Sequence, residues 1–511
     1  MAQAPNMTAL AVFIVLFVSV AVLGLFAARW HQSGEAQISE WGLGGRRFGT
    51  LITWFLLGGD LYTAYTFIAV PTALFGQGAS GFFAVPYTIF VYPILFAVFP
   101  RLWSVARANG YVTAADFVRG RFGSGALALA IAVTGIVATM PYIALQLVGM
   151  EVVLGGLGIH GHWPLVIAFA TVAAFTYTSG LRAPAIIAVV KDLLIYTTVI
   201  AAIVIIPGEL GGYGKIFASV PPARLLLAPP TADNLGQGFS YATLALGSAL
   251  ALFLYPHAVT GLFGSASRHV VRRNAVILPA YSLALGLIAL LGTMALASGV
   301  QAMPAYARGF KLFGANYAVP ALFLQMFPSW FVGVAFAAIV IGALVPAAIM
   351  SIASANLFTR NIYREYVHPK CSPANELQVA KIAALVTLVG ALCFIIGLPG
   401  AQKFAITLQL LGGIWIIQTL PSVLIGLYTR WLHPIALLAG WAAGIVSATA
   451  MMAAKGFVSP IYALNIFGVT APCYDAISSL ALNLAVSVVL SFVFNAMLST
   501  REDATAVTDY V

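Results

Sequence analysis

The chain has 511 residues, 61% of them hydrophobic and 7% charged, with a formal net charge of +10 and a mean hydropathy of +0.99. Charged residues make up about a quarter of an ordinary soluble chain, so a soluble globular enzyme or binding module is excluded and an all-α polytopic membrane protein is indicated. The positive balance points to membrane topology and to the lipid bilayer as surroundings, with no nucleic acid as partner.

At about 20 apolar residues per crossing, thirteen helices are expected near 8–29, 50–75, 82–103, 125–150, 163–180, 184–207, 238–265, 274–300, 329–359, 378–398, 402–427, 432–453 and 476–498. Residues 8–28 follow no basic n-region and are too long for a signal peptide, which makes them a retained first span. With the N-terminus outside, the inner loops and the C-terminus carry Arg29, Arg46, Arg47, Arg101, Arg107, Arg119, Arg121, Arg182, Arg268, Arg272, Arg273, Arg360, Arg364, Lys370, Lys381, Arg430 and Arg501. The outer loops carry Lys215, Arg224, Arg308, Lys311, Lys403 and Lys455. Seventeen basic residues against six set this orientation by the positive-inside rule. The outer loops 208–237 and 301–328, rich in Pro, Gly and aromatics, are expected to form short surface helices. Cys371, Cys393 and Cys473 lack metal-ligand spacing and imply no disulfide framework.

The second span is the informative one. Residues 54–71 read WFLLGGDLYTAYTFIAVP, an apolar run interrupted by Gly58-Gly59 and Asp60, followed by Thr63 and Thr66. Adjacent glycines weaken a helix, a carboxylate in hydrocarbon is costly, and hydroxyls can serve backbone groups that come free. A discontinuous helix lining a cavity is expected, with a merely kinked span as the alternative. Five spans later ALFLYPHAVTGLFGSAS is interrupted by Pro256 and Gly261. Paired interruptions in two halves of a chain point to an inverted-repeat transporter with its site at the midplane. Each break offers N–H groups to an anion and carbonyls to a cation.

Enzyme signatures such as a phosphate-binding loop, H-E-x-x-H or a paired C-x-x-C are absent, so no catalytic residue is assigned and uphill work must draw on an ion gradient. The polar groups at depth are Asp60, Asp192, Lys191 and His257, with Tyr62, Thr63, Tyr65, Thr66, Tyr142, Gln146, Tyr255, Gln409, Trp415 and Gln418 around them. Lys191 and Asp192 are helix neighbours pointing about 100° apart, so each is expected to find another partner, and a Lys191–Asp60 contact is the first expectation. Such a lysine is either one half of a static ion pair or a proton site. A lone His257 after a proline is more often structural than a proton carrier.

The stretches EWGLGGRRFG (40–49), GYVTAADFVRGRFG (110–123), SGLRAPAIIAVVKD (179–192), YPHAVTGLF (255–263), FTRNIYREY (358–366) and ELQVAKIAAL (376–385) resemble the sodium:solute symporter family, in order along nearly the whole chain. The resemblance implies a LeuT-like core of two inverted five-helix repeats. The chain then divides into a leading helix and loop (1–49), a first repeat (50–207), an outer loop (208–237), a second repeat (238–427) and two trailing helices with an inner tail (428–511). The wording of 342–366 looks most like the bacterial monocarboxylate permeases, which implies a bacterial inner-membrane symporter of pyruvate, lactate, acetate or propionate, with alanine as an alternative. Substrate would meet Gly59, Thr63, Tyr65, Thr66, Tyr142, Gln146, Tyr255, His257 and Gln409. No cofactor and no obligate protein partner are implied.

One departure stands out. Two hydroxyl residues that sodium-using members place on the ninth span align with Val345 and Pro346, which offer no side-chain oxygen. Another alignment offers a weaker sodium site of Gly59, Tyr62, Ser351 and Ser354. Lys191 beside Asp192 can instead stand in for the missing ion, so proton coupling through Lys191, Asp192 and Asp60 is favoured over sodium coupling. An uncoupled facilitator remains the other class.

Overall fold

The computed structural model describes residues 6–27, 37–159, 161, 163–397, 405–497 and 503–511. Span ends expected at 29, 398, 402 and 498, and the basic residues Arg29, Lys403 and Arg501, lie outside them. Helix dominates, as the composition requires. Among the described residues ten helices are long and apolar enough to cross a membrane, or eleven with a bent pair taken as one. The expected thirteen is not reached by that measure. Thr50–Leu61 and Trp163–Ser179 are shorter apolar helices, and Tyr65–Ala108 runs on where two spans were expected.

Both interruptions are present. The second span is Thr50–Leu61, then an extended Tyr62 (φ −100°, ψ 93°), then helix resuming over Tyr65–Ala69 and Val70–Gln77. The seventh is Gly236–Leu252 followed, at a bend of 46°, by Pro256–Phe263. Pro256 opens the second piece, where its missing N–H costs no helical hydrogen bond.

At the centre runs the ninth span, Ser329–Phe358, buried along nearly its whole length. It packs against the first, fourth, sixth and tenth spans and against Pro256–Phe263. Small residues permit this, since without a hydrophobic drive between helices in lipid close packing decides association. A Cβ on Gly333 would lie 2.5 Å from the Ala9 carbonyl oxygen, so the first span seats on bare backbone there. The loops 208–237 and 301–328 form the expected short helices, Tyr213–Ser219, Pro222–Leu225, Ala307–Phe313 and Ala318–Met326. One element lay outside the sequence reading: an antiparallel hairpin, Ile461–Ile466 with Val469–Tyr474, pairing Ile461 with Tyr474. Its turn places Phe467 and Gly468 both at positive φ, the geometry of a two-residue hairpin loop.

The trailing spans Pro434–Ala453 and Asp475–Met497 hold the eleventh through a polar seam. Gln418 Nε2 donates to Ser479 Oγ at 2.9 Å, and Asn483 Nδ2 donates to Gln418 Oε1 at 3.1 Å. Trp415 donates to Thr449 Oγ1 at 3.1 Å. Trp415 and Gln418 therefore face the trailing helices.

The eighth span, Pro279–Ser298, tests how closely the broken helix is held. A Cβ on Gly292 would sit 2.2 Å from the Pro71 carbonyl oxygen, whereas one on Gly286 meets nothing nearer than Val85 at 3.9 Å. Gly292→Ala is expected to destabilise the protein by about 1–3 kcal/mol through overpacking against backbone. Gly286→Ala should be neutral or slightly stabilising, and thermal melts in detergent distinguish the two.

Candidate functional site

Breaking the second span frees backbone groups, and the chain satisfies them locally and from afar. Thr63 N–H donates to Thr66 Oγ1 at 2.9 Å, Thr66 Oγ1 donates to Thr63 O at 2.7 Å, and Tyr65 N–H donates to Thr63 Oγ1 at 3.0 Å. Thr63 and Thr66, expected as substrate ligands, thus engage their hydroxyls in holding the break. On the other side Lys191 Nζ donates to Tyr62 O at 2.8 Å and to Gly59 O. A fully buried ammonium closes the end of the first half-helix.

The partner of Lys191 differs from expectation. Its Nζ lies 3.0 Å from Asp192 Oδ1, an ion pair between chain neighbours, and the expected Lys191–Asp60 salt bridge does not form. The four-carbon stem reaches back along the helix, which the angle between Cβ directions alone does not show. Asp192 Oδ2 in turn accepts from the Tyr281 hydroxyl on the eighth span. Tyr281 lay outside the sequence reading; a tyrosine in PAYSLALGL carries no signal until the sixth span lies beside it. Its ring packs against that of Tyr62 at a tilt of 35°, with centroids 4.6 Å apart.

The glycine pair now has a specific cause. A Cβ on Gly58 would fall 2.2 Å from the Tyr281 ring, and one on Gly59 would lie 3.0 Å from Lys191 Nζ. Gly58 admits the tyrosine that orients Asp192, and Gly59 admits the lysine.

Asp60 faces the other broken helix. Its Oδ2 lies 3.6 Å from His257 Nε2, both groups buried. Around this pair gather three tyrosines. Tyr142 lies 5.3 Å from both Tyr255 and His257, centroid to centroid, and Tyr65 lies 6.5 Å from Tyr142. Tyr255 donates to Gln409 O at 3.1 Å. Buried and without a hydrogen-bond partner are Asp60 Oδ1, both ring nitrogens of His257, both amide atoms of Gln146, and Gln409 Oε1. In hydrocarbon, unmet groups of this kind mark a place that takes a polar ligand or water. Structure thus brings Asp60, Tyr142, Tyr255 and His257 together and leaves them sealed from both sides, for each is at most 3% exposed.

The alternative sodium site does not assemble. Gly59 O and Tyr62 O are taken by Lys191, and Ser351 Oγ donates to its own helix at Ala348 O, 2.8 Å away. On the ninth span a Cβ added at Gly342 would lie 3.9 Å from Thr63 Cα. Ser351 lies nine residues further along that helix, roughly 13 Å away at 1.5 Å per residue, and Ser354 lies further still. Among the described residues no group of three or more His, Cys, Asp or Glu side chains could hold a metal ion.

Comparison with known proteins agrees with this architecture. Residues 41–444 match the sodium:solute symporter family. A monocarboxylate transport permease protein of Rhizobium johnstonii is 54% identical over 501 residues, covering 97% of this chain and 99% of the relative. An uncharacterized symporter of Bacillus subtilis, YodF, is 35% identical over 447 residues, covering 86% of this chain and 87% of the relative. A substrate-bound, outward-open sodium-coupled sialic acid symporter superposes with a TM-score of 0.73 at 15% identity, over 95% of this chain and 98% of that one. At that identity the likeness shows a shared LeuT-type fold. With its two broken helices, its buried polar centre and a match spanning most of its length, the chain belongs to the sodium:solute symporter family.

Proposed function

We propose that this chain is a proton-coupled symporter of small monocarboxylates, working by alternating access in a bacterial inner membrane. The observation that carries the coupling is Lys191, whose ammonium lies on the Gly59 and Tyr62 carbonyls where a coupling cation would be held. The substrate class rests on the name of the Rhizobium relative and on the lining of the buried centre. A short carboxylate would meet hydroxyl, amide and imidazole groups at Tyr65, Tyr142, Gln146, Tyr255, His257 and Gln409, and the N-terminus of Pro256–Phe263. Such neutral donors hold an anion loosely enough to release it, where a bidentate guanidinium would not.

Charge accounting gives Lys191 its role. Protonated, it ties the first half-helix to the sixth span and neutralises Asp192. Deprotonated, it keeps two N–H donors for three acceptors and leaves the Asp192 carboxylate without its counter-charge, which favours rearrangement of the broken helix against the sixth span. A change in one proton thereby biases the two access states. The basic loops would face the cytoplasm, with the N-terminus outside and the C-terminus inside. Sodium coupling, for alanine or another small solute, is the reading the same experiment tests.

In proteoliposomes an acid-outside gradient is expected to drive labelled pyruvate above equilibrium. One proton per anion supports at most about tenfold accumulation per pH unit. Lys191→Ala should abolish accumulation while retaining part of the exchange of internal for external substrate; wild-type behaviour in both assays would return Lys191 to a structural role. Accumulation that follows a sodium gradient and ignores pH would overturn proton coupling.

Tyr281→Phe removes the hydroxyl from which Asp192 accepts and keeps the ring packed against Tyr62. Leaving a buried carboxylate short of one donor costs about 1–3 kcal/mol, so gradient-driven uptake should fall roughly tenfold. Unchanged uptake would show that Asp192 does not need this hydroxyl.

A further inference from the structure

The last described segment, residues 503–511, does not hang free of the bundle. Asp503 Oδ2 accepts from Arg121 Nη1 at 2.8 Å and lies 3.1 Å from Arg430 Nε. Ala504 N–H donates to Gly120 O at 2.8 Å. Asn109 Nδ2 donates to Asp509 Oδ2 at 3.0 Å. The Tyr510 ring, 8% exposed, lies under two guanidinium groups, with Arg101 Cζ 4.9 Å and Arg121 Cζ 5.4 Å from its centroid. Its hydroxyl pairs with Thr505 Oγ1 at 2.8 Å.

These contacts fall on three separate elements. Arg101 belongs to Ala84–Ala108, which packs against the Gly236–Leu252 half of the broken seventh span and against Arg268–Ile277, and Asn109 caps its end. Gly120 and Arg121 belong to the short helix Ala114–Phe122, which packs against Gly125–Gly156 and Leu420–Val423. Arg121 also donates to Gly426 O at 2.9 Å and Thr429 O at 3.2 Å, at the end of the eleventh span, where Arg430 follows. One strap of nine residues therefore joins the third span to the short helix and to the end of the eleventh span. Beside the start of the short helix is a small cavity of about 20 Å³, lined by Thr113, Gly135, Pro256, Thr260, Ala353 and Thr419. That void lies between the buried centre and the Arg-rich face.

We propose that residues 503–511 are a latch that holds the Arg-rich face of the transporter closed. For a path to open from Pro256 to that face, the third span must part from the short helix and the eleventh span. The strap crosses that seam with a charge-assisted pair, a ring between two arginines and an amide–carboxylate bond. Arg121 is the anchor, because its side chain is 5% exposed and it touches both the strap and the eleventh span. The latch rests on the alternating-access reading above, with that face taken as cytoplasmic.

The test needs no transport assay. In a chain with Cys371, Cys393 and Cys473 replaced by serine, Ala353→Cys places a thiol on that cavity, at a position 1% exposed. Inverted vesicles and spheroplasts are treated in parallel with a membrane-impermeant maleimide. Deleting residues 503–511 is expected to raise the alkylation rate in inverted vesicles by about fivefold or more, the response of an opening equilibrium to loss of a partly buried charged pair. Asp503→Asn, which keeps the side-chain shape, should raise it in the same direction and carries the test if the shortened chain does not fold. Rates equal to or below the parent's would overturn the latch. Faster alkylation seen in spheroplasts instead would keep the latch and overturn the orientation, and failure of gradient-driven uptake would leave the labelling result standing.

Discussion

Within a hydrocarbon layer every backbone polar group must find a partner from the protein, and that one requirement organises this molecule. Interrupting the second span after Leu61 frees carbonyls that water cannot reach. The chain answers with the Lys191 ammonium on one side and the Thr63 and Thr66 hydroxyls on the other. Once an ammonium is placed there, its own charge must be met. Asp192 does so, and Tyr281 holds Asp192. Gly58 and Gly59 then follow, because only a backbone without Cβ atoms lets a tyrosine ring and a lysine head come so near.

The second broken helix sets up a different centre. There Asp60, His257, Gln146 and Gln409 keep polar atoms unmet, close to three tyrosine rings and sealed from both faces. The two centres share the segment 58–66 but divide their tasks by chemistry. The Lys191 ammonium, bonded to two carbonyls and paired with Asp192, favours one arrangement of the helices, while the unpartnered polar atoms around His257 call for a polar ligand. A symporter needs both kinds of site, coupled through one movable element, and the broken second span contributes to each.

How much could be read from residues alone varies with the range of the interaction. The many-helix membrane class and both interruptions were legible, because apolar length, adjacent glycines and an intrahelical proline act within a few residues. Resemblance to the sodium:solute symporter family was legible through ordered motifs, and the family match bears it out. The convergence of Tyr142, Tyr255, His257 and Gln409 was also expected. Three things were not: the hairpin at 461–474, the role of Tyr281, and the partner of Lys191. The expected Asp60 contact assumed that Lys191 and Asp192 point apart, whereas a flexible ammonium stem can fold back to its neighbour.

Sequence by itself determined that this is a many-helix membrane protein, that two helices break at depth, and which few polar side chains lie near the breaks. Those are consequences of local backbone preference and of the cost of polarity in lipid. Only the tertiary structure decided who meets whom. Lys191 reaches carbonyls more than a hundred residues away, Tyr281 reaches Asp192 across two helices, and Asp503 reaches Arg121 from the far end of the chain. Such pairings depend on how each helix is rotated about its own axis, and that rotation is set by the packing of all the others.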